Sequence, residues 1–101
     1  MATKHLQIHH VIVHSPGPKW LDGVDFREQP NVDEHVAYYS RLSEEGNLFE
    51  GGPFLDSSGG MMVLSPGVTK ETAEQLAQAD PTVIGGLLVA RVHPWLRAFT
   101  S

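Results

Sequence analysis

The alternation of apolar and polar positions along the chain predicts four strands, which cover residues 5–14, 47–51, 60–65 and 84–92. In the first strand, Leu6, Ile8 and Ile12 recur at period two, and His10 and His14 lie on the same side. A Gly- and Ser-rich stretch separates the second strand from the third, which is typical of an antiparallel hairpin with a wide turn. The last strand begins as an almost continuous apolar run, which indicates that both of its faces are covered.

Two helices are predicted between these strands. The first begins at Asn31, which can cap it, carries Glu34 at the capping-box position and ends at Gly46. The second runs from its cap Thr69 to about Ala79 and stops at an Asp-Pro pair, because a residue before proline is driven out of the helical conformation. The first helix is expected to bury a stripe formed by Val32, Val36, Tyr39 and Leu42.

The order β-α-β-β-α-β predicts an α+β fold of the split βαβ, ferredoxin-like kind, with both helices on one face of an antiparallel sheet. A chain of 101 residues forms one domain, residues 1–101, and its core is thin. The sheet face without helices needs a cover, and a second copy of the chain is the economical one. The sequence therefore predicts a homodimer.

The composition limits the kinds of partner that the protein is expected to bind. The chain carries 7 Lys and Arg against 12 Asp and Glu, a net charge of −5, which argues against binding to nucleic acid or to an anionic membrane surface. It has no cysteine, no apolar stretch behind Met1 and no segment of about 20 apolar residues, so we expect a cytoplasmic protein. It also lacks a phosphate loop and a dinucleotide fingerprint, so no cofactor is expected.

Residues 15–30 form a long loop that starts with a strong turn signal, Ser-Pro-Gly-Pro. Trp20 and Phe26 stand out in an otherwise polar stretch. Loops of this length are often lids or binding segments, and the alternative is an ordered surface loop pinned by its two aromatic side chains.

The N-terminal histidines resemble a cluster of metal ligands, namely His5, His9, His10 and His14. Histidines that share a strand face here are four residues apart, about 13 Å at ~3.3 Å per residue. Zinc needs its ligands at about 2.0–2.1 Å, so no pair within this strand can chelate one ion, and no metal is expected. One of these side chains, His10 or His14, could join His35 in a pocket. The alternative is that these histidines are half-buried strand residues that face a dimer interface.

Three segments of the chain resemble the YciI-like (YCII-related) family. They are HVAYYSRLSEEGNLFEGGP at 35–53, ADPTVIGG at 79–86 and VHPW at 92–95. Each motif alone is weak, but the three occur in the family's order and spacing. The resemblance implies a dimeric ferredoxin-like α+β barrel with a pocket that holds a His–Asp pair.

The family's pair corresponds to His35 and Asp80, with the carboxylate fixing the tautomer of an imidazole base. Without the resemblance, His35 has a plainer interpretation as a packed or capping residue, and Asp80 as a turn residue that ends a helix. The chain departs from the family pattern at Val32 and Met61, where many relatives have Arg and Ser.

The resemblance favours a cofactor-free enzyme acting on a small organic substrate, a substituted aromatic or quinone. Its best-motivated reaction is a lyase-type dehydrochlorination of a chlorinated hydroxyhydroquinone in aromatic catabolism. The candidate substrate contacts are Tyr39, Gly52, Pro53, Phe54, His10 and Trp20. The alternative is a non-catalytic dimeric module that binds a small metabolite or a partner domain, which the missing Arg and Ser would favour.

Overall fold

The computed structural model of the protein describes residues 7–100, so His5 and Leu6 of the predicted first strand lie outside the described residues. The described strands are β1 (Gln7–Pro16), β2 (Leu48–Pro53), β3 (Gly60–Leu64) and β4 (Leu88–Arg97). The described α-helices are α1 (Val32–Glu44), α2 (Lys70–Gln78) and α3 (Pro81–Ile84), and a 3-10 turn, Phe26–Glu28, precedes α1. Across residues 7–100, no helix has the length and apolar character that crossing a membrane requires.

The four strands form one antiparallel sheet in the order β2-β3-β1-β4. The segment containing α1 connects β1 to β2, and the segment containing α2 and α3 connects β3 to β4, so each helical connection skips one strand. The protein is therefore an α+β domain, as predicted, and its element order is consistent with the ferredoxin-like arrangement.

The core lies between one sheet face and the helices. Its buried members are Ile12, Tyr38, Tyr39, Leu42, Leu64, Ala73 and Ala77. The small side chains of Ala73 and Ala77 are completely buried and let α2 lie close against the sheet. The Tyr38 hydroxyl donates a hydrogen bond to the Leu76 carbonyl oxygen at 2.6 Å, which ties α1 to α2.

The beginning of α1 differs from the prediction. Asn31 precedes the helix in the left-handed region, at φ 68°, and its side chain makes no capping hydrogen bond. The buried stripe includes Tyr38 and omits Val32, which is half-buried, and Val36, which is 59% exposed. The reason is that both valines line a cavity.

The second half of the chain confirms the cap of α2 and corrects the start of the last strand. Thr69 accepts a hydrogen bond from the Thr72 amide at 3.2 Å. The predicted strand begins at Ile84, but Ile84 is the last residue of the short helix α3, which has Pro81 at its first turn, where a missing N–H has no cost. The chain then turns through Gly86 at φ 87°, so β4 starts later and runs to Arg97.

Two strands extend past the rest of the sheet. β3 pairs with β1 from Val11 to His14, whereas β4 pairs with β1 along its whole length. The segments 7–10 and 94–97 therefore project beyond β3 as a two-stranded arm. Ile8 and Leu96 are paired on one face of this arm and are 62% and 48% exposed.

The sheet face without helices carries an aromatic cluster at the base of the arm. The His9 ring lies 5.2 Å from the Phe49 ring and 6.0 Å from the Trp95 ring, and its Nδ1 bonds to the Leu64 carbonyl oxygen at 2.7 Å. The Arg97 guanidinium lies over the Phe49 ring. His9 is thus a buried packing residue, and Phe49 and Trp95 stay partly exposed.

Replacing Leu42 with Ala should destabilise the domain by about 2–5 kcal/mol, because it leaves a cavity in the core under α1. The same change at Leu55, which is 81% exposed in the β2–β3 turn, should cost almost nothing. Urea denaturation of both variants measures the difference. Equal losses for the two variants would contradict the described core.

Candidate active site

His35 and Asp80 form a hydrogen-bonded pair between α1 and the start of α3. His35 Nδ1 lies 2.5 Å from Asp80 Oδ2, and the His35 side chain is 13% exposed whereas that of Asp80 is completely buried. The other Asp80 oxygen, Oδ1, accepts from the Thr82 amide at 2.8 Å and from the Thr82 hydroxyl at 2.7 Å. Asp80 therefore caps α3 with one oxygen and holds the imidazole with the other.

The surroundings of Asp80 favour its ionised form. Burial raises the pKa of this carboxyl, but the hydrogen bonds from His35 and Thr82 and the charge of His35 together outweigh burial and lower it. Because the carboxylate accepts a hydrogen bond from Nδ1, that nitrogen carries the proton in neutral His35. Nε2 is then the ring nitrogen with a free electron pair, on a residue that lines a cavity.

His14, from β1, completes a three-residue cluster. Its ring stands edge-on to those of His35 and Tyr39, at 4.8 and 5.5 Å between centroids. Its Nε2 lies 3.8 Å from Asp80 Oδ2 and 3.4 Å from the Tyr39 hydroxyl. Burial lowers the pKa of His14 to about 4, with the charge of His35 lowering it further and that of Asp80 opposing, so His14 is neutral at pH 7. Of the two strand histidines expected to be able to join His35, the structure brings in His14.

The cavity beside this cluster has a volume of about 690 Å³ and a mainly apolar wall. It lies between α1, the loop before α1 and the β2–β3 hairpin. Four of the predicted contacts line it, namely Trp20, Tyr39, Gly52 and Pro53. Lining residues that were not among the predicted contacts include Phe26, Arg27, Val36, Met62 and Leu88. For Phe26, the available signal was its position as an isolated aromatic residue in a polar loop.

Two predicted contacts do not line the cavity. His10 lies in the two-stranded arm, on the same face of β1 as His14 but four residues away from it. Its Nδ1 bonds to the Val68 carbonyl oxygen at 3.0 Å. Phe54 has already left β2, and its amide donates to the Gly59 carbonyl oxygen within the hairpin turn. Spacing along a strand does not reveal where the cavity ends, so the sequence does not separate these two residues from the contacts that line it.

The loop before α1 is closed by one side chain. Gln29 is buried, donates from Nε2 to the carbonyl oxygens of Leu21 and Val24, and accepts from the Leu21 amide. The Phe26 amide donates to the Ser57 hydroxyl, which fastens the loop to the β2–β3 turn. The loop thus forms an ordered wall of the cavity.

The two glycines of β2 differ in what surrounds them. Neither Gly51 nor Gly52 has a positive φ. A side chain at Gly51 would collide with Met62 and the backbone of Met61, whereas Gly52 faces open space beside the cavity. Bare backbone is therefore accessible to a ligand at Gly52.

The cluster also has the residue types of a metal site. Ligand atoms that lie within 4.8 Å of one another are offered by His14, His35 and Asp80. These residues come from different elements, so the distance between histidines along β1 does not exclude them as a metal site. Tetrahedral zinc ligands stand about 3.3 Å apart, given bonds of about 2.0–2.1 Å. The 2.5 Å between His35 Nδ1 and Asp80 Oδ2 is that of a hydrogen bond, so the pair would have to separate to admit an ion.

The fold and the site define a class: a small α+β protein with a buried His–Asp pair at the edge of an apolar cavity. The chain is 34% identical over 67 residues to the "Uncharacterized protein YjpA" of Bacillus subtilis (strain 168), a stretch that spans 66% of this chain and 78% of that protein. The chain belongs to the same family as YjpA. No family model matches the chain, and no solved structure matches it significantly.

The protein should lose stability as the pH is lowered through a window set by the pKa of His14. Its pKa is about 4 in the folded protein and 6.5 in the unfolded chain, so between these values the unfolded chain binds a proton that the folded protein does not. The free energy of unfolding should therefore decrease by up to about 3 kcal/mol as the pH falls through that window. The lowered pKa of Asp80 acts separately, because its contribution is lost only as the pH falls below about 4.

Denaturation at about pH 7 and about pH 4.5 measures this effect. His14→Gln should lose much of the pH dependence, since the amide does not titrate. His93→Gln, the same change at an exposed position of β4, should keep it. An unchanged pH dependence in His14→Gln would contradict the neutral state assigned to His14.

Proposed function

We propose that this protein is a cofactor-free enzyme in which His35 is the general base and Asp80 fixes its tautomer. The observation that carries the proposal is the hydrogen bond between His35 Nδ1 and Asp80 Oδ2 beside an apolar cavity. It leaves Nε2 to take a proton from a ligand, and the buried carboxylate stabilises the imidazolium that forms. A perturbed carboxylate paired with an imidazole beside a cavity is a general mark of functional sites.

The proposed reaction is the loss of HCl from a chlorinated hydroxyhydroquinone, suggested by the resemblance to the YciI-like family. His35 Nε2 removes a proton from a ring hydroxyl, and the ring tautomerises by taking a proton on the carbon that bears chlorine. Loss of chloride together with the proton of a second hydroxyl then leaves a quinone. The substrate gives up one proton and one chloride in total, so no external oxidant is consumed.

The cavity is suited to such a substrate in size and surface. Its volume of about 690 Å³ falls within the range of small-molecule sites. Trp20, Phe26 and Tyr39 supply aromatic surface for contact with a ring.

For the fold, we propose a ferredoxin-like domain of the YciI-like kind that dimerises through its helix-free sheet face. The strand order β2-β3-β1-β4 supports this. So do Phe49, Val89 and Trp95 on that face, which are 45%, 39% and 37% exposed. The two-stranded arm supports it as well, because two strands alone are marginally stable in water.

The alternative, a non-catalytic module that binds a small metabolite, draws on one observation. Val32 lines the cavity at the position where many YciI-like proteins carry Arg. The absence of that guanidinium favours binding of a ligand without its turnover, although Arg27 also lines the cavity. Chloride release by the unmodified protein separates the two functions.

His35→Gln should reduce kcat by about 100-fold or more, because no base remains. Asp80→Asn should keep the cap of α3, since Asn also caps helices, and lose activity to an intermediate degree through the wrong tautomer. The double variant should lose less than the product of the two effects. Chloride release from a chlorinated hydroxyhydroquinone is the measurement.

A matched change outside the cavity serves as the control. It is Asp56→Asn in the β2–β3 turn, at an exposed position, and it should leave kcat unchanged. Independent, multiplying losses for His35→Gln and Asp80→Asn would show that the two residues do not act as a unit.

The dimer is expected to sediment at micromolar concentration with twice the 11.1 kDa of one chain. Trp95→Glu should shift it towards the monomer, because it places a charge on the helix-free face. Leu55→Glu, in the exposed hairpin turn, should not. A monomeric unmodified protein would exclude this assembly.

A further inference from the structure

Two buried side chains beside the His–Asp pair carry polar groups that the reaction as described does not use. His14 and Tyr39 are 2% and 3% exposed, and the Tyr39 hydroxyl lies 3.4 Å from His14 Nε2. His14 Nδ1 is buried without a hydrogen-bond partner among residues 7–100. The direction of the hydrogen bond between the two side chains therefore depends on which nitrogen of His14 carries its single proton.

The position of Asp80 decides the tautomer of His14. A neutral imidazole has one N–H and one bare lone pair. His14 Nε2 faces Asp80 Oδ2 at 3.8 Å, and that carboxylate accepts hydrogen bonds but cannot donate them when ionised. A lone pair on Nε2 would be repelled by the carboxylate, whereas an N–H is attracted. The proton is thus on Nε2, and it is donated to the Tyr39 hydroxyl oxygen.

This direction leaves the hydrogen of the Tyr39 hydroxyl free. Burial raises the pKa of Tyr39, and the charge of Asp80 and the neighbouring Tyr38 raise it further, so the phenol stays protonated. Tyr39 lines the cavity, and its ring centroid lies 5.0 Å from that of His35. A ligand oxygen next to His35 is therefore within reach of a phenol donor.

We infer that Tyr39 donates a hydrogen bond to an oxygen of the ligand and that His14 is the positioning residue that turns the hydroxyl towards it. The ligand class this selects is a phenol or enol whose oxygen becomes negatively charged. A hydrogen bond to a charged oxygen is stronger than one to a neutral oxygen, so the donor favours the deprotonated ligand. The inference rests on the proposed function for the place of the base, and it adds the group that receives the charge.

The test uses binding, with 4-nitrophenol as the probe, because its phenol and phenolate forms absorb differently. Bound to the unmodified protein, the probe should ionise at a lower pH than in solution. Tyr39→Phe should reduce the ratio of bound phenolate to bound phenol by about tenfold. Tyr38→Phe is the matched control, because that hydroxyl bonds to Leu76 and does not line the cavity.

His14 is tested by two variants. His14→Leu has no donor and should reduce the ratio as Tyr39→Phe does. His14→Gln offers an amide N–H and should restore much of it, which a residue with a merely structural role would not do. The ¹⁵N spectrum of the unmodified protein provides a second measurement that needs no variant, and it should show the proton of His14 on Nε2.

The inference fails if the unmodified protein does not bind the probe, if Tyr39→Phe leaves the ionisation of the bound probe unchanged, or if His14 carries its proton on Nδ1. These results are separable from failure of the proposed reaction. Tyr39-dependent ionisation of the probe without chloride release would leave the ligand class standing and remove the dehydrochlorination. Chloride release that requires His35 but is unchanged by Tyr39→Phe would leave the dehydrochlorination standing and remove the role inferred for Tyr39.

Discussion

The rest of the site depends on the Asp80 carboxylate being buried, ionised and hydrogen-bonded through both of its oxygens. Burying a charge is costly unless donors replace water, and Thr82 donates twice to Oδ1 while His35 donates to Oδ2. The first contact starts α3, and the second fixes the first turn of α1. The spacing of the two helices is thus tied to the same atoms that orient the His35 ring.

The neutral state of His14 follows from the same carboxylate. The cluster holds two imidazoles and one carboxylate in a space where burial penalises every charge. The N–H of neutral His35 bonds to the carboxylate, and protonation of His14 would be opposed by burial and by the charge that His35 carries when it is protonated. Position therefore distinguishes two chemically identical side chains: His35 hydrogen-bonds to the carboxylate, and His14 is more deeply buried and neutral.

The sequence predicts those features of the structure that depend on residues close together in the chain. The cap Thr69 and the break at Asp-Pro are local, and the structure confirms both. Periodicity places the exposed Val36 in the core, because it detects an apolar face without distinguishing a core from a cavity wall. Period two placed His10 and His14 on one face, but only the pairing with β3 and the position of α1 decide which of them reaches His35. The approach of His35 to Asp80 was expected from the family resemblance, since no local pattern joins residues that far apart.

The loop that Gln29 closes has a consequence for how this protein could diversify. Most of its hydrogen bonds are made within the loop, one joins it to the hairpin, and the amides of Gly17 and Lys19 join its start to Leu87 and Gly86. None of these bonds uses the side chain of Trp20 or Phe26, so these residues of the wall can be exchanged without disturbing the helices or the buried carboxylate. Selection for a new ligand can act on them while the hydrogen bond between His35 and Asp80 stays intact. In such a scaffold the cavity wall can change faster than the buried pair, and relatives with the same pair of residues are expected to differ most in the segment that precedes α1.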